Sequence, residues 1–458
     1  MIKQGLYLVV TVHPNPANSR DFNRLKQESV RMKAASFQGG LALPVPERSE
    51  SPSITPLPVP DTVLLPLLHQ PEQTYELVVK KGALVKQGQP VAHGVSSLVL
   101  APISGKVEDI RKEFKLLDGT RTTALRITAS EESVPEETPP AAHDTGNLQK
   151  ILSTGLSEIT DRPVPLFEKI SYIRSKQVQT LIINCLDEYF IQGRSAALAA
   201  QHTADLLAGI DLLVQYSGAE SAVITVYAEA GPALKSLQES GTQCQILPVK
   251  AKYPQHAEKC LVTAVTGREY DVDQTPEDLG VSVISAETAY WASRAVNHED
   301  AALDKLLTVA GGGLQEPQNC LVRIGTPLEE VLTHLGQTIA DGDKVILGNP
   351  LSGQAVADLQ TPVTQQTHLV VIQKKAEQHS FSQDAVCFKC GFCVEICPMR
   401  LMPFLLSGFS EGGNYELAEK NSLFTCIECG CCAYVCPVNI PMVQWIQLGK
   451  SALCAQRS

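Results

Sequence analysis

Two copies of one cysteine-rich string constrain this chain more than any other feature of its sequence. CFKCGFCVEICP begins at Cys387 and CIECGCCAYVCP begins at Cys426, so both follow the pattern CxxCxxCxxxCP. A cubane of iron and sulfide needs four thiolates around it, and two-residue gaps allow a tight loop to wrap three of them onto one cluster. The fourth cysteine lies on the following helical turn and points elsewhere. The sequence therefore predicts two [4Fe-4S] clusters.

The fourth cysteine of each string decides how the ligands are shared. In ferredoxins that carry two clusters, this cysteine ligates the other cluster. By this rule the first cluster has the ligands Cys387, Cys390, Cys393 and Cys436. The second cluster has the ligands Cys426, Cys429, Cys432 and Cys397. Zinc also takes four thiolates, but its sites normally use two CxxC pairs rather than three regularly spaced cysteines followed by a fourth. Two clusters held close together are suited to passing single electrons.

Glycine, proline and one extra cysteine accompany the ligands. Gly391 and Gly430 are predicted to keep side chains away from the clusters where the backbone approaches them. Pro398 and Pro437 are predicted to turn the chain away after the last ligand of each string. Cys431 has no cysteine counterpart in the first string, and we interpret it as a packed thiol.

Composition and charge exclude several classes of protein. The 458 residues are 44% hydrophobic and 19% charged, which predicts about three globular domains. The net charge of -11, without clustered Lys and Arg, disfavours a nucleic-acid partner. Apolar runs such as LYLVVTV are far shorter than the roughly 18 residues of a membrane span, and this run lacks the flanks of a signal peptide. The six remaining cysteines are mostly scattered singly, which favours a reducing, cytoplasmic setting.

The pattern along the chain predicts six regions. They are an N-terminal extension (1–36), a barrel-sandwich domain (37–130), an acidic, proline-rich linker (131–147), an α/β domain (148–300), a small β-grasp module of the SLBB type (301–373) and an α-helical two-cluster ferredoxin-like domain (374–458). In the second region Gly82, Gly88 and Gly105 fall where hairpin turns need positive φ, as in biotinyl/lipoyl-type modules. No lysine lies between Gln89 and Ala101, so we expect a packing or docking domain without carrier function.

Alternating patterns predict the third and fourth folded regions. The strand-like runs VQTLIINCL, SAVITVYAE, TQCQILPVK and GVSVISAE alternate with the helix-like runs SAALAAQHTADLLAGIDLLVQY, GPALKSLQES, QHAEKCLVTAVTG and TAYWASRAV, which predicts a largely parallel sheet. After residue 301 we expect a β-hairpin and then a helix with Thr326 as N-cap and Pro327 at its first position. The piece NYELAEKNSLF predicts a helix between the cysteine strings.

An ordered set of motifs resembles RnfC, the peripheral subunit of the Rnf ion-translocating electron-transport complex. The motifs are FQGG at Phe37, AKYPQHAEK at Ala251, LVRIGTP at Leu321, PVTQQT at Pro362 and CIECGCCAYVCPVNIPMVQW at Cys426. The resemblance implies an α/β domain related to the flavin-binding subunit of respiratory complex I, with FMN and NADH as cofactors. It also implies electron transfer between ferredoxin and NAD that is coupled to ion transport by membrane subunits, with this chain peripheral on the cytoplasmic face.

The chain departs from this family at the implied flavin site. Where the family carries a glycine-rich loop GxGGAGFP, this chain has TGLSEITDRPVP, which keeps Gly155. Backbone N–H groups approach a phosphate most easily at glycine. Ser157, Glu158 and Asp161 stand in the loop instead and bring carboxylates toward the expected phosphate position.

A second group of departures lies in other loops. The family's NxxExEPY string corresponds to NCLDEYF, in which Asn184, Asp187 and Glu188 are, with Gly155, the candidate FMN and NADH residues. His256 and Glu287 replace family glycines, and GGPMMG reads GNPLSG from position 348. Together these changes predict a pocket that is closed or repurposed.

Three functions follow from these observations. In the first, the chain is an electron-transfer subunit of an Rnf-type oxidoreductase complex, and its partners are the membrane and ferredoxin-like subunits and a soluble redox protein. In the second, it is a flavoenzyme subunit that reacts with NAD(H). In the third, it is a ferredoxin-like adaptor outside an ion-pumping complex. We expect the isolated chain to bind neither FMN nor NADH tightly and to receive electrons from a protein.

Overall fold

The computed structural model describes residues 34–43, 53–67, 75–95, 97–117, 119–130, 146–159, 163–188, 193–378 and 386–457. The predicted extension (1–36) and linker (131–147) lie almost wholly outside these residues, as does Asp161. In the described part no single helix is long and apolar enough to cross a membrane; one pair of helices bent by 98° passes the same test together by length and composition.

The strands are numbered in chain order. They are β1 (Leu41–Ala42), β2 (Ile54–Pro56), β3 (Thr62–Pro66), β4 (Glu76–Leu77), β5 (Leu84–Val85), β6 (Pro90–His93), β7 (Leu98–Leu100), β8 (Gly105–Lys115), β9 (Arg121–Ala129), β10 (Ser157–Ile159), β11 (Pro163–Pro165), β12 (Thr180–Asn184), β13 (Ser221–Tyr227), β14 (Gln245–Val249), β15 (Lys252–Tyr253), β16 (Val281–Ser285), β17 (Asp304–Gly311), β18 (Gln318–Arg323), β19 (Lys344–Leu347), β20 (Gln354–Val356) and β21 (Leu369–Gln373).

The α-helices are numbered in the same way. They are α1 (Asn147–Leu152), α2 (Leu166–Ser175), α3 (Arg194–Gln201), α4 (Thr203–Ser217), α5 (Gly231–Glu239), α6 (Glu258–Thr266), α7 (Ala286–Asn297), α8 (Leu328–His334), α9 (Phe392–Ile396), α10 (Pro403–Glu411), α11 (Tyr415–Lys420), α12 (Cys431–Tyr434) and α13 (Met442–Arg457).

The barrel-sandwich domain packs two antiparallel sheets, ordered β3-β9-β8-β5 and β4-β6-β7, around one apolar core. Gly82 and Gly88 have φ values of 85° and 80°, which confirms the predicted turns. The prediction for Gly105 is wrong, because this residue begins β8 and is not among the positive-φ glycines. A Cβ at Gly105 would lie 2.1 Å from the carbonyl oxygen of Thr128, so close strand pairing requires glycine there.

The α/β domain contains the predicted parallel sheet, in the order β14-β13-β12-β16. These strands are continuous apolar runs, as expected when helices cover both faces of a parallel sheet. The single helix predicted from Ser195 to Tyr216 is wrong, because α3 and α4 meet at His202 with a bend of 98°. Helix α4 approaches α7 closely, since a Cβ at Gly209 would lie 1.7 Å from the carbonyl oxygen of Ala289.

The β-grasp module is a six-stranded sheet, ordered β2-β18-β17-β21-β19-β20, packed on α8. The predicted hairpin is β17 and β18, which pair antiparallel. The predicted helix cap is wrong by one residue. Pro327 is the N-cap residue, in extended conformation, and the hydroxyl of Thr326 donates to the carbonyl of Arg323.

Short strands before the barrel bind to other parts of the molecule. Strand β1 pairs with β15 of the α/β domain, and β2 pairs in parallel with β18 of the β-grasp sheet. The last region is helical, and α10 and α13 enclose small apolar clusters that include ligand-candidate cysteines. The N–H of Gly40 and the hydroxyl of Tyr253 contact the cysteine strings, so the segment around Phe37 and the α/β domain both reach them.

Candidate functional site

The first set of predicted ligands surrounds one cavity of the helical domain. Its walls include all four thiols of this set, namely Cys387, Cys390, Cys393 and Cys436. The cavity encloses about 320 Å³ of empty space, part of it open to solvent. Cys387 and Cys390 are exposed, whereas Cys393 and Cys436 are buried. The structure thus brings residues of both strings together at a surface-facing site.

The second set surrounds a neighbouring cavity of about 370 Å³, also partly open to solvent. Its four thiols are Cys397, Cys426, Cys429 and Cys432. Leu401, Leu406 and Ile446 complete an apolar wall. Cys397 lies directly after α9 of the first string, and its side chain contributes to the cavity of the second string.

The chemistry of both donor sets fits an iron–sulfur cluster. Each cavity offers four soft sulfur donors in apolar surroundings, and burial raises the pKa values of Cys393 and Cys397, and that of Cys426 to about 12. A thiolate in such a place needs a compensating metal cation. In the part of the chain described by the structure, no three His, Cys, Asp or Glu side chains are arranged to hold a single metal ion.

Backbone amides also point at the ligand sulfurs. The N–H of Leu401 lies 3.4 Å from the sulfur of Cys397, and the N–H of Glu428 lies 3.4 Å from the sulfur of Cys426. Hydrogen bonds to sulfur are one of the means by which a protein sets the potential of a cluster. Two [4Fe-4S] clusters would therefore be held by the cysteines and tuned by the main chain.

The two strings repeat in backbone conformation as well as in sequence. Lys389 and Gly391 have φ values of 58° and 87°, and the equivalent Glu428 and Gly430 have 56° and 80°. Positive φ is the reason for glycine at both positions. At position 430 a neighbouring residue also requires glycine, because an added Cβ would lie 2.3 Å from the carbonyl oxygen of Leu351. No described atom comes within 4 Å of the equivalent point at Gly391.

Cys431 is a fifth cysteine at the second cavity. It is fully buried and lines the cavity beside Cys429. A hydrogen bond with Cys429 and burial both raise the pKa of its thiol. That it is a packed thiol and no ligand stays a prediction.

The motifs at Phe37 and Ala251 support the second cavity, a role that the sequence did not reveal. The hydroxyl of Tyr253 donates to the carbonyl oxygen of Cys429 over 2.5 Å, and the N–H of Gly40 donates to the carbonyl oxygen of Ile396 over 2.7 Å. A Cβ at Gly39 would lie 2.7 Å from the carbonyl oxygen of Cys397. Lys252 joins the two motifs, because its ammonium donates to the carbonyl of Phe37 and lies over the Phe37 ring.

The carboxyl ends of the parallel strands form the edge where such sheets bind ligands. Asn184 ends β12, where its side chain donates to the carbonyl of His256 and accepts from the N–H of Leu186. Gly155 packs against the barrel, since a Cβ there would lie 2.3 Å from the carbonyl oxygen of Leu98. Two of the four flavin candidates therefore have structural contacts in this chain.

Asp187 closes the N-terminus of α3. Its carboxylate accepts from the N–H of Ser195 at 2.9 and 3.1 Å and from the N–H of Ala196 at 3.2 Å. Burial raises its pKa, and Arg194 partly offsets this. Glu188, the fourth candidate, is adjacent, and burial raises its pKa too, with Arg194 acting in the opposite direction.

Glu158 closes the N-terminus of α7 in the same manner. Its two carboxylate oxygens each accept from the N–H of Ser285 at 3.1 Å. The side chain is 1% exposed, and burial raises its pKa while hydrogen bonds from Thr288 and Ser285 lower it. The sequence placed this carboxylate near the expected phosphate, and the structure shows it bound to the protein itself.

Glu287, which stands at the position of a family glycine, is paired with two cations. Its carboxylate lies 2.5 Å from the ammonium of Lys305 and 3.4 Å from the guanidinium of Arg194, and it accepts from the N–H of Leu306. Burial lowers the pKa of His256 to about 4, and Arg194 adds to this effect, so the imidazole is neutral near pH 7. At the N-termini of α3 and α7, the described residues therefore do not fit a flavin or dinucleotide phosphate.

Fold and site together define an iron–sulfur protein in which a two-cluster domain is attached to an α/β domain of the flavin-binding type. Residues 35–132 match the RnfC barrel sandwich hybrid domain, residues 151–294 the Nuo51 FMN-binding domain and residues 386–440 the 4Fe-4S dicluster domain. A homologous subunit of the ion-translocating oxidoreductase complex of Rhodobacter capsulatus is 30% identical over 421 residues, which cover 88% of this chain and 80% of that protein. The chain belongs to this family of RnfC proteins, which confirms the resemblance.

Other relatives are named for the same subunit. The Pseudomonas aeruginosa protein is 29% identical over 435 residues, which are 92% of this chain and 56% of that protein, so this chain spans little more than half of its length. The corresponding subunit of the proton-translocating ferredoxin:NAD(+) oxidoreductase complex of Clostridium ljungdahlii is 28% identical over 401 residues, which are 84% of this chain and 86% of that protein. A superposition on a solved chain of NAD+-reducing [NiFe]-hydrogenase includes 68% of this chain and 61% of the hydrogenase chain, with a TM-score of 0.46 and 18% sequence identity.

Proposed function

We propose that this chain relays single electrons through two [4Fe-4S] clusters between a soluble redox protein and membrane subunits of an Rnf-type complex that translocate ions. The observation that carries the proposal is the grouping of eight cysteines around two neighbouring cavities, each completed by the fourth cysteine of the other string. This exchange of ligands ties the two clusters to one another, which suits electron transfer between them.

The two cavities differ in exposure to solvent, and this difference indicates which of the two clusters faces a partner protein. The first cavity is lined by Phe388, which is 62% exposed, and Val386, which precedes Cys387 in the chain, is 78% exposed. The second lies against Tyr253 and Leu351 of the neighbouring domains. We propose that the first cluster exchanges electrons with a partner protein, because electron transfer falls steeply with distance and a buried cluster is harder to approach.

The partners and the location are part of the same proposal. The relatives are named as subunits of ion-translocating complexes, and we propose that this chain also assembles with membrane and ferredoxin-like subunits on the cytoplasmic face. Attachment to the membrane would then depend on those subunits. Co-expression tests this point, because the chain is expected in the membrane fraction only when the partner subunits are present. Tight binding of the chain alone to lipid vesicles would contradict it.

Iron analysis tests the relay itself. The anaerobically purified chain is expected to contain about eight irons and eight inorganic sulfides, the content of two cubanes. Both clusters are expected to be reduced by one electron each in a redox titration followed by electron paramagnetic resonance. Bound zinc without sulfide would refute the relay.

A second candidate function is that of a flavoenzyme subunit that reacts with NAD(H). Its support is the match of residues 151–294 to the Nuo51 FMN-binding domain. A visible spectrum of the purified protein separates the two functions, because bound flavin absorbs beside the broad iron–sulfur band. The contacts of Glu158, Asp187 and Glu287 favour the relay without flavin.

A further inference from the structure

We infer that carboxylates of the chain itself have replaced the phosphates of FMN and NADH in the α/β domain, and that electrons therefore reach the clusters from a one-electron protein carrier. This inference deepens the proposed relay and rests on it only for the route of the electrons. The replacement is argued from two helix N-termini and one buried ion-pair network.

The N-terminus of α3 has no free amide in its first turn. The N–H of Arg194 donates to the hydroxyl of Thr308, those of Ser195 and Ala196 donate to Asp187, and that of Ala197 donates to the carbonyl of Gly193. A helix N-terminus binds phosphate through these same N–H groups. A phosphate would have to displace a buried carboxylate from them.

The carboxylate of Asp187 also fills the space beside Gly193. A Cβ at Gly193 would lie 2.6 Å from Cγ and 2.8 Å from Oδ2 of Asp187. Glycine before a helix commonly leaves room for a ligand, and here the space is filled by the protein. The hydroxyl of Tyr227 donates to the carbonyl oxygen of Asp187 and fixes the same residue from the other side.

A carboxylate also lies at the N-cap residue of α7. Glu158 accepts from the N–H of Ser285, and the hydroxyl of Ser285 accepts from the N–H of Thr288 as the helix cap. Helix α7 follows β16, so its N-terminus lies at the carboxyl edge of the sheet. The N-termini of α3 and α7 thus both contact carboxylates that belong to the protein itself.

Two cations beside these helix ends are paired as well. Lys305 and Arg194 both contact Glu287, and all three side chains are at most 12% exposed. Burial lowers the pKa of Lys305, and Glu287 partly offsets this. The network joins α3, α7 and β17, so it connects the α/β domain to the β-grasp sheet. We assign it the structural role of holding these elements together.

The test uses the full chain with both clusters present. Isothermal titration with FMN and separately with NADH is expected to give no saturable heat at ligand concentrations well above those of the protein. NADH is expected to leave the visible absorption of the oxidised clusters unchanged, while a reduced ferredoxin bleaches it. Stoichiometric FMN after acid extraction, or bleaching by NADH without added flavoenzyme, would overturn the inference.

A second measurement addresses the structural role and does not depend on any ligand. Glu287→Gln is expected to lower the thermal unfolding midpoint by several degrees, because it leaves Lys305 and Arg194 buried without their carboxylate. The control Glu239→Gln, at a pair that is about 70% exposed on α5, is expected to leave the midpoint unchanged. If Glu287→Gln melts like the wild type, the network does not hold these elements together, and if the variant gains FMN binding, the network lies at a ligand site; either result overturns the inference. Iron and sulfide content reports separately on the relay.

Discussion

The hydroxyl of Tyr253 donates a hydrogen bond of 2.5 Å to the carbonyl oxygen of Cys429. Tyr253 belongs to the α/β domain and Cys429 is a predicted ligand of the second cluster, so this contact joins the two across 176 positions of the chain. Tyr253 is 2% exposed, and its backbone pairs with Leu41 in β1. The cluster loop is therefore positioned by a domain that is distant in sequence.

Removal of this hydroxyl tests the contact. Tyr253→Phe is expected to lower the free energy of unfolding by about 1 kcal/mol, because a buried carbonyl loses its donor. It is also expected to shift the signal of the second cluster in electron paramagnetic resonance and leave that of the first unchanged. Tyr172→Phe is the control, since its hydroxyl lies at the surface beside Thr275. Equal effects of the two substitutions would mean that the contact has no role in positioning.

The crossing of ligands between the strings makes a second prediction. Cys397→Ala is expected to remove or alter the cluster of the second string, although Cys397 lies in the first string. Cys393→Ala is the matched variant, and it is expected to affect the other cluster. Iron content and electron paramagnetic resonance distinguish the two outcomes. Loss of the same cluster in both variants would contradict the assignment.

Two equivalent glycines make a third prediction. Gly391→Ala introduces only backbone strain at positive φ, which costs roughly 1–2 kcal/mol. Gly430→Ala adds a collision with the carbonyl of Leu351, so we expect a larger loss of stability and a displaced second cluster loop. Denaturant unfolding of both variants provides the comparison. A loss that is equal at the two positions would show that the loop moves away from Leu351 at little cost.

The buried imidazole of His256 predicts a dependence of stability on pH. Its pKa in the folded state is lowered to about 4 by burial, below the usual 6.5, so the unfolded chain binds the proton more tightly. Stability is therefore complete above pH 6.5 and falls as the pH drops toward 4, by up to about 3 kcal/mol. His256→Asn is expected to reduce this dependence, measured by urea unfolding across that range. The exposed His93→Asn is the control, and the same reduction in both variants would contradict the prediction.

Local chemistry explains what could be predicted at the cluster sites. The two-residue gaps between the cysteines predict three ligands for each string without help from the rest of the chain. The parallel strands β12, β13 and β16 are predictable because each is a short apolar run bounded by turns. The helix break at His202 is not, since the residues on both sides continue one apolar pattern.

The carboxyl edge of the parallel sheet shows what the loop sequences alone could not predict. The sequence placed Glu158 near the expected phosphate position and Glu287 at a family glycine, and predicted a pocket that is closed or repurposed. The structure gives a different reason, because Glu158 binds the amide of Ser285 and Glu287 binds Lys305. Such partners cannot be inferred from one sequence, since 127 positions separate Glu158 from Ser285.

The sequence by itself determined the chemistry of this protein, because the type of cluster depends on residues that are neighbours in the chain. Only the tertiary structure decided which surfaces hold the clusters and whether the sheet edge is open. Gly39 and Gly40 contact the main-chain carbonyls of Cys397 and Ile396, and Tyr253 contacts that of Cys429. Every residue has such a carbonyl, so these contacts cannot be recognised from the side chains in the sequence. Contacts of this kind follow from how the domains pack, which depends on burial summed over the whole chain.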